Sequence, residues 1–136
     1  MITAVDSNVL LDFLNRDPEF GIASRNSLRS CAVQGRLLAC DVVWAEIAGF
    51  FASISSCVEV LHEVGIEFSP IESETAFEAG VAWKAYLKRG GARTRVAADF
   101  LIGAYALLQA DRLLTRDQGF YRSCFKRLSV FDPSNT

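Results

Sequence analysis

Short apolar segments alternate with longer helical patterns along this chain of 136 residues. Five segments have the length and apolar character of buried strands: residues 2–6, 37–40, 66–68, 112–115 and 128–131. Helical spacing of apolar residues fills the stretches between them: residues 7–14, 18–34, 42–54, 57–64, 73–89 and 96–110. This alternation predicts an α/β fold with three layers (α/β/α), in which helices cover both faces of a mainly parallel sheet of about five short strands.

Local signals mark several of the predicted helix ends. Ser7 is a suitable cap for the first helix, and Pro18 suits the first turn of the second. Gly65 follows the predicted helix over residues 57–64, as glycine often does at a helix C-terminus. Residues 42–54 are apolar on almost every side, which predicts a buried helix.

Length and composition predict one globular domain over residues 1–136, because a chain that is 51% hydrophobic and 22% charged can build one sizeable core. No apolar run is long enough to span a bilayer, and no membrane partner is expected. The N-terminus enters a strand and reaches Asp6, unlike a signal peptide. The four cysteines form no CxxC pair, so we expect buried thiols in a reducing cytoplasm.

Four acidic residues stand out from this pattern. Asp6 ends the first predicted strand and Asp117 follows the fourth, so both belong at the ligand-binding edge of a parallel sheet. Glu46 lies in the apolar stretch 42–54, where a buried carboxylate must be paired or protonated. Asp99 lies near the start of another apolar helix. Taken singly, each has a structural explanation: a salt bridge for Glu46, the helix dipole for Asp6 and Asp99, and an N-cap for Asp117.

Taken together, these carboxylates favour a hard divalent cation such as Mg²⁺ or Mn²⁺. The single histidine, His62, argues against a His-rich zinc site. The sequence has no nucleophile elbow, Walker A loop or dinucleotide-binding motif. A bound cation would polarise a phosphoryl group, activate water and stabilise the leaving oxygen without a protein nucleophile. The set therefore predicts metal-dependent hydrolysis of phosphate esters.

Charge is unevenly distributed along the chain. Residues 1–83 carry 4 Lys/Arg and 12 Asp/Glu, a net charge of −8, whereas residues 84–127 carry 10 and 3, a net charge of +7. The basic segment contains Asp99 and Asp117, and positive charge beside carboxylates suits a phosphodiester substrate. Solvated helix faces are the favoured explanation for three of these cations: Lys84, Lys88 and Arg89.

The order and spacing of these residues resemble the PIN domain. Asp6-Ser7-Asn8-Val9-Leu10 follows a first strand, Glu46 lies in an apolar helix, Asp99 opens a later one, and Leu114-Thr115-Arg116-Asp117 precedes Gly119-Phe120. Within that family, the chain is similar to bacterial VapC-type toxins of type II toxin–antitoxin pairs. The resemblance covers essentially the whole chain.

The resemblance implies a ribonuclease that depends on Mg²⁺ or Mn²⁺ and cleaves RNA internally. It assigns catalysis and metal binding to four acids: Asp6, Glu46, Asp99 and Asp117. Substrate or metal waters are expected to be oriented by three further residues: Ser7, Thr115 and Arg116. Arg93 and Arg95 are weaker candidates for phosphate contact. The resemblance also implies a homodimer and a cognate antitoxin whose tail covers the active site.

Two other functions stay open. A non-catalytic binding module would use its acids structurally and bind a partner protein through apolar surface, and its melting temperature would not respond to metal. A phosphate-accepting receiver domain needs more than one acid before the first helix, where only Asp6 is present. Residues 42–54 and 120–131 are expected in the core or, alternatively, in a dimer face.

Overall fold

The computed structural model describes residues 1–92 and 97–135 of the protein. In this part of the chain five strands form one sheet: β1 (Ile2–Val5), β2 (Arg36–Ala39), β3 (Ile66–Phe68), β4 (Arg112–Leu114) and β5 (Val130–Phe131). Their order is β3-β2-β1-β4-β5, and all neighbouring pairs are parallel. The predicted α/β class and the five short strands are confirmed.

The same residues form seven α-helices: α1 (Ser7–Leu14), α2 (Gly21–Gln34), α3 (Asp41–Ile47), α4 (Ile54–Val64), α5 (Ser73–Lys88), α6 (Ala97–Gln109) and α7 (Gln118–Cys124). Short 3-10 turns follow α3 and β5, at Ala48–Phe50 and Pro133–Asn135. Helices α1, α2 and α4 pack together on one face of the sheet, and α5, α6 and α7 on the other. Connections between parallel strands are right-handed, so those that lead from β1 toward β3 place their helices on one face and those that lead toward β5 place theirs on the other. This division produces the predicted three layers.

The first two helices begin differently from the prediction. Asp6, not Ser7, is the N-cap of α1: its backbone is extended (φ −77°, ψ 151°) and its carboxylate accepts the N–H of Ser7. Helix α2 begins at Gly21 instead of residue 18. The carboxylate of Asp17 accepts the N–H groups of Glu19 and Phe20 at 3.0 and 2.7 Å, which holds these residues in a turn before the helix.

The predicted helix over residues 42–54 is broken. Helix α3 ends at Ile47, and α4 begins after Ser53, whose hydroxyl accepts the N–H of Ser56 in a reciprocal capping box. This serine pair makes a new helix start more favourable than continuation of α3. Helix α4 therefore starts before the predicted residue 57, and it ends at Gly65, whose φ of 89° suits glycine.

Helix α7 was not predicted, because its seven residues include Gly119 and are too few to show a clear period. By contrast, β3 has its predicted bounds, and α5 ends one residue before the predicted residue 89. Residue 96, the first of the predicted helix over 96–110, lies outside the described residues.

The core occupies both faces of the sheet. On one face, Val9 and Leu10 of α1 are fully buried; on the other, Phe100 lies among aromatic rings, with the centroids of Tyr86 and Phe120 each 5.3 Å away. Within the described residues, no single helix is long and apolar enough to cross a membrane, although Asp41–Phe50 and Ile54–Val64 meet that criterion jointly across a bend of 113°.

The four cysteines are free thiols. Cys31, Cys40 and Cys57 are buried as predicted, and burial raises the pKa of the Cys40 and Cys57 thiols. The prediction is wrong for Cys124, which is only half-buried because it lies at the end of α7 beside the exposed side chain of Arg89.

Gly35 is required where α2 meets β2. A Cβ at this position would overlap the backbone carbonyl of Met1, which also accepts the N–H of Arg36 at 3.0 Å. We expect Gly35→Ala to lower the free energy of unfolding by about 1–3 kcal/mol in urea denaturation, because relief of the overlap disturbs β1–β2 pairing. Gly49→Ala is the matched control, since its Cβ would meet nothing within 4 Å. Equal losses in the two variants would contradict this account.

Candidate active site

Asp6 lies at the C-terminal end of β1, the middle strand of the sheet. Its backbone N–H donates to the carbonyl of Leu114 at 3.0 Å, which extends the pairing of β1 with β4 by one residue. The side chain is only 5% exposed. Its carboxylate accepts hydrogen bonds of 2.8 Å from the Ser7 N–H and the Thr115 hydroxyl, and one of 3.4 Å from the Asn8 amide. The structure thus fixes this carboxylate at the edge where the sequence predicts it.

Burial raises the pKa of Asp6 to about 6, because desolvation disfavours its charged form. Hydrogen bonds from Thr115 and Ser7 lower the pKa, and the nearby carboxylate of Glu46 raises it, but each effect is smaller than that of desolvation. A positive charge beside Asp6 would favour its ionised form and remove this penalty.

Thr115 connects the site to the neighbouring loop. Its fully buried hydroxyl donates to Asp6 and accepts from the Asp117 N–H at 3.0 Å and the Asn8 amide at 3.3 Å. Asn8 accepts the N–H of Arg116 at 3.3 Å. Thr115 was predicted as a polar helper, but Asn8 was not assigned a role. The signal for Asn8 was its place two residues after a strand-end acid, at the start of a helix.

Glu46 lies on α3 and accepts a hydrogen bond of 2.9 Å from the Ser7 hydroxyl, which brings two predicted site residues together. Its predicted burial is wrong, because Glu46 is exposed. Val43 and Ile47 are the buried residues of α3, and Ala45 and Glu46 lie on its exposed side. Glu46 is therefore placed by its contact with Ser7 and not by an apolar environment.

Asp99 lies in the first turn of α6 and Asp117 immediately precedes α7, and both are half-buried. The carboxylate of Asp117 makes no capping hydrogen bond to α7, so helix capping does not explain it. Burial raises the pKa of Tyr121, and the charges of Asp6, Asp99 and Asp117 raise it further. Asp6, Asp99 and Asp117 therefore all lie within electrostatic range of this one hydroxyl.

Tyr121 is a site residue that sequence analysis missed, because it belongs to the unpredicted helix α7. Its hydroxyl is close enough to lower the pKa of Asp6 but makes no hydrogen bond of normal geometry within the described residues. A buried donor of this kind normally has a partner. The Asp6 carboxylate is the acceptor within reach of this hydroxyl.

Arg116, a predicted substrate contact, forms an ion pair with Asp12 of α1. Its Nε is 2.5 Å from one oxygen of Asp12 and its Nη2 is 3.2 Å from the other. The guanidinium lies 4.0 Å from the centroid of Phe20, and the bond to Asp12 raises the pKa of Arg116. This pair joins the loop after β4 to α1. Arg93 and Arg95, the weaker candidates, lie outside the described residues.

The donor atoms of the site suit a hard cation, since they are carboxylate and hydroxyl oxygens. Within the described residues, however, no three His, Cys, Asp or Glu side chains are close enough to form a ready-made metal site. Four carboxylates without a counter-ion repel one another, which favours their separation. The residues fit a divalent cation that draws them together, and the metal-binding and catalytic assignments stay predictions.

Comparison with known proteins gives a family and a fold. The model of the PIN domain family matches residues 3–126. Similar solved structures include VapBC2 from Rickettsia felis bound to a DNA fragment from its promoter (TM-score 0.75, 18% identity, 97% of this chain and 98% of that one). VapBC-1 from nontypeable Haemophilus influenzae is also similar, with a TM-score of 0.73 and 21% identity over 98% of this chain and 99% of that one. A toxin–antitoxin complex from Klebsiella pneumoniae has a TM-score of 0.69 and 17% identity over 96% of this chain and 97% of that one. No curated protein matches the chain significantly in sequence.

Ionisation of Asp6 should destabilise the fold in the absence of divalent cations. Its pKa rises from 3.8 in the unfolded chain to about 6 in the folded protein. The neutral carboxyl therefore contributes its full stabilisation below pH 3.8, and this stabilisation is lost as the pH rises through about 6. The loss is roughly 3 kcal/mol. Asp6→Asn should therefore become more stable relative to wild type between about pH 4 and about pH 7 in urea denaturation. A difference independent of pH would contradict the assigned shift.

Proposed function

The chain belongs to the PIN domain family, and on that premise we propose that it is a metal-dependent endoribonuclease, the toxin of a toxin–antitoxin pair. The buried carboxylate of Asp6 is the observation that carries the proposal. It is held in one orientation by Thr115 and lies near the carboxylate of Glu46, and the charges of Asp99 and Asp117 act with it on the hydroxyl of Tyr121.

The four acids would hold Mg²⁺ or Mn²⁺, with Asp6 as the fixed ligand. The bound cation would supply polarisation of the phosphoryl group and neutralise charge on the leaving oxygen. Thr115 and Asn8 keep the Asp6 carboxylate in place, so little reorganisation is needed during the reaction. Ser7 orients Glu46, and the exposure of Glu46 lets it accept a proton from a water molecule that arrives from solvent.

The structural relatives support the proposal of a protein partner. The Klebsiella structure is a toxin–antitoxin complex, and the VapBC2 structure from Rickettsia contains a promoter DNA fragment. We extend the first of these features to this chain and propose a cognate antitoxin as its partner. The RNA substrate and a homodimer are part of the same proposal.

Removal of the Asp6 charge should abolish cleavage. We expect Asp6→Asn to cut single-stranded RNA in Mg²⁺ at least about 100-fold more slowly than wild type, because the cation loses its fixed ligand. Cleavage is measured on gels with an end-labelled RNA, and a cooperative melting curve shows that the variant is folded. Glu59→Gln, an exposed charge removal on α4, should leave the rate unchanged. A folded Asp6→Asn protein that cuts at the wild-type rate would refute the assignment.

Metal binding should be visible without any assay of cleavage. We expect the melting temperature of wild type to rise with Mn²⁺ concentration, because a ligand that binds only the folded state stabilises it. The rise should be much smaller in Asp6→Asn and Glu46→Gln. The absence of any Mn²⁺-dependent rise in wild type would favour the non-catalytic binding module instead.

A further inference from the structure

We propose that a groove between α5, α6 and the segment after α7 binds the phosphodiester backbone of RNA through Arg89, Lys126 and Arg127. The groove has a volume of about 580 Å³ and opens to solvent. This inference rests on the proposed ribonuclease function and extends it, because the groove lies outside the set of carboxylates.

The charge of the groove opposes that of the chain as a whole. Arg89, Lys126 and Arg127 line it and are exposed, whereas Glu78 is its single acidic lining residue among those described. The net charge of the protein is −2, so this surface is a local reversal of sign. Clustered cations of this kind bind a nucleic-acid backbone by releasing its condensed counter-ions.

Arg89 makes two side-chain contacts at the groove. Its Nη2 donates to the Sγ of Cys124 at 3.4 Å, and its guanidinium lies 5.6 Å from the ring centroid of Tyr86. The sequence pattern favours a solvated helix face for Arg89, but these two contacts orient its planar group. The N–H groups that remain can donate in pairs to a phosphate, as guanidinium groups commonly do.

Helix α7 joins the groove to the candidate active site. Its residues Phe120 and Tyr121 are buried in the core, whereas Arg122 and Ser123 are exposed. Helix α7 begins after Asp117, in the site, and ends at Cys124, in the groove. Its seven residues span about 10 Å at roughly 1.5 Å each. An RNA strand cut at the site would therefore extend along α7 into the groove.

The floor of the groove is largely aliphatic and includes Val81 and Leu108, each 48% exposed. Such a floor offers contact to bases but no hydrogen-bonding pattern that would distinguish one base from another. Recognition in the groove should thus depend on phosphate charge, with strong salt dependence and little sequence preference. An acidic protein segment and a second copy of the chain are the competing occupants.

The decisive test compares two double variants in the Asp6→Asn background, which keeps RNA intact. Binding of a labelled RNA of about 16 nucleotides is followed by fluorescence anisotropy at several salt concentrations. We expect Lys126→Ala with Arg127→Ala to weaken binding and to reduce the slope of log K against log salt by about 1.4, or about 0.7 for each phosphate contact. Arg25→Ala with Arg29→Ala removes the same charge from exposed positions on α2 and should change neither quantity.

Cys124 provides an independent probe, because it lines the groove and the other three cysteines are buried. Bound RNA should slow its alkylation.

The groove proposal would be overturned if the Lys126→Ala, Arg127→Ala variant bound RNA with the same affinity and the same salt slope as its parent. If wild type still cleaved RNA, the proposed ribonuclease function would stand. A change in the sedimentation of this double variant would show that a second copy of the chain occupies the groove instead. Binding of polyglutamate as tight as that of RNA would show that an acidic protein segment does. Wild type that neither binds nor cuts RNA would overturn both proposals.

Discussion

The structure depends on a single costly feature, a carboxylate withdrawn from water at the centre of the sheet. Asp6 is 5% exposed, and its pKa of about 6 records the penalty. Hydrogen bonds from Ser7, Asn8 and Thr115 offset part of that cost. The same bonds start helix α1 and order the loop after β4. The local architecture around the site is therefore a consequence of keeping one charge buried.

The strand order explains why the site forms at this position. Crossovers from β1 lead to β2 and β3 on one side, and the chain then returns to β4 and β5 on the other. The connections diverge between β1 and β4, which is where open parallel sheets bind ligands. Asp6 ends β1, and Thr115 and Asp117 follow β4, so the topology itself brings them together. Helices α3 and α6 carry the other two acids, Glu46 and Asp99.

Sequence alone identified the features that arise from local pattern. Asp6 and Asp117 could be placed because apolar runs predict strand ends and parallel strands share an edge, whereas Thr115 followed from the resemblance to the PIN domain. Glu46 was selected for a burial that it does not have, and its actual determinant, a hydrogen bond to Ser7, joins residues 39 positions apart. Asn8 and Tyr121 gained a role only through contacts between distant segments. Likewise, the pairing of Arg116 with Asp12 spans 104 positions, and no local pattern encodes it.

The central claim is that acids from four elements share one divalent cation, and crystals grown with Mn²⁺ test it most directly. Anomalous scattering locates the ion without reference to activity. The account predicts an ion about 2.0–2.3 Å from an oxygen of Asp6, with at least one of Glu46, Asp99 and Asp117 in the same coordination sphere. An ion bound only elsewhere, or bound to Asp6 and to none of the other three, would contradict the account.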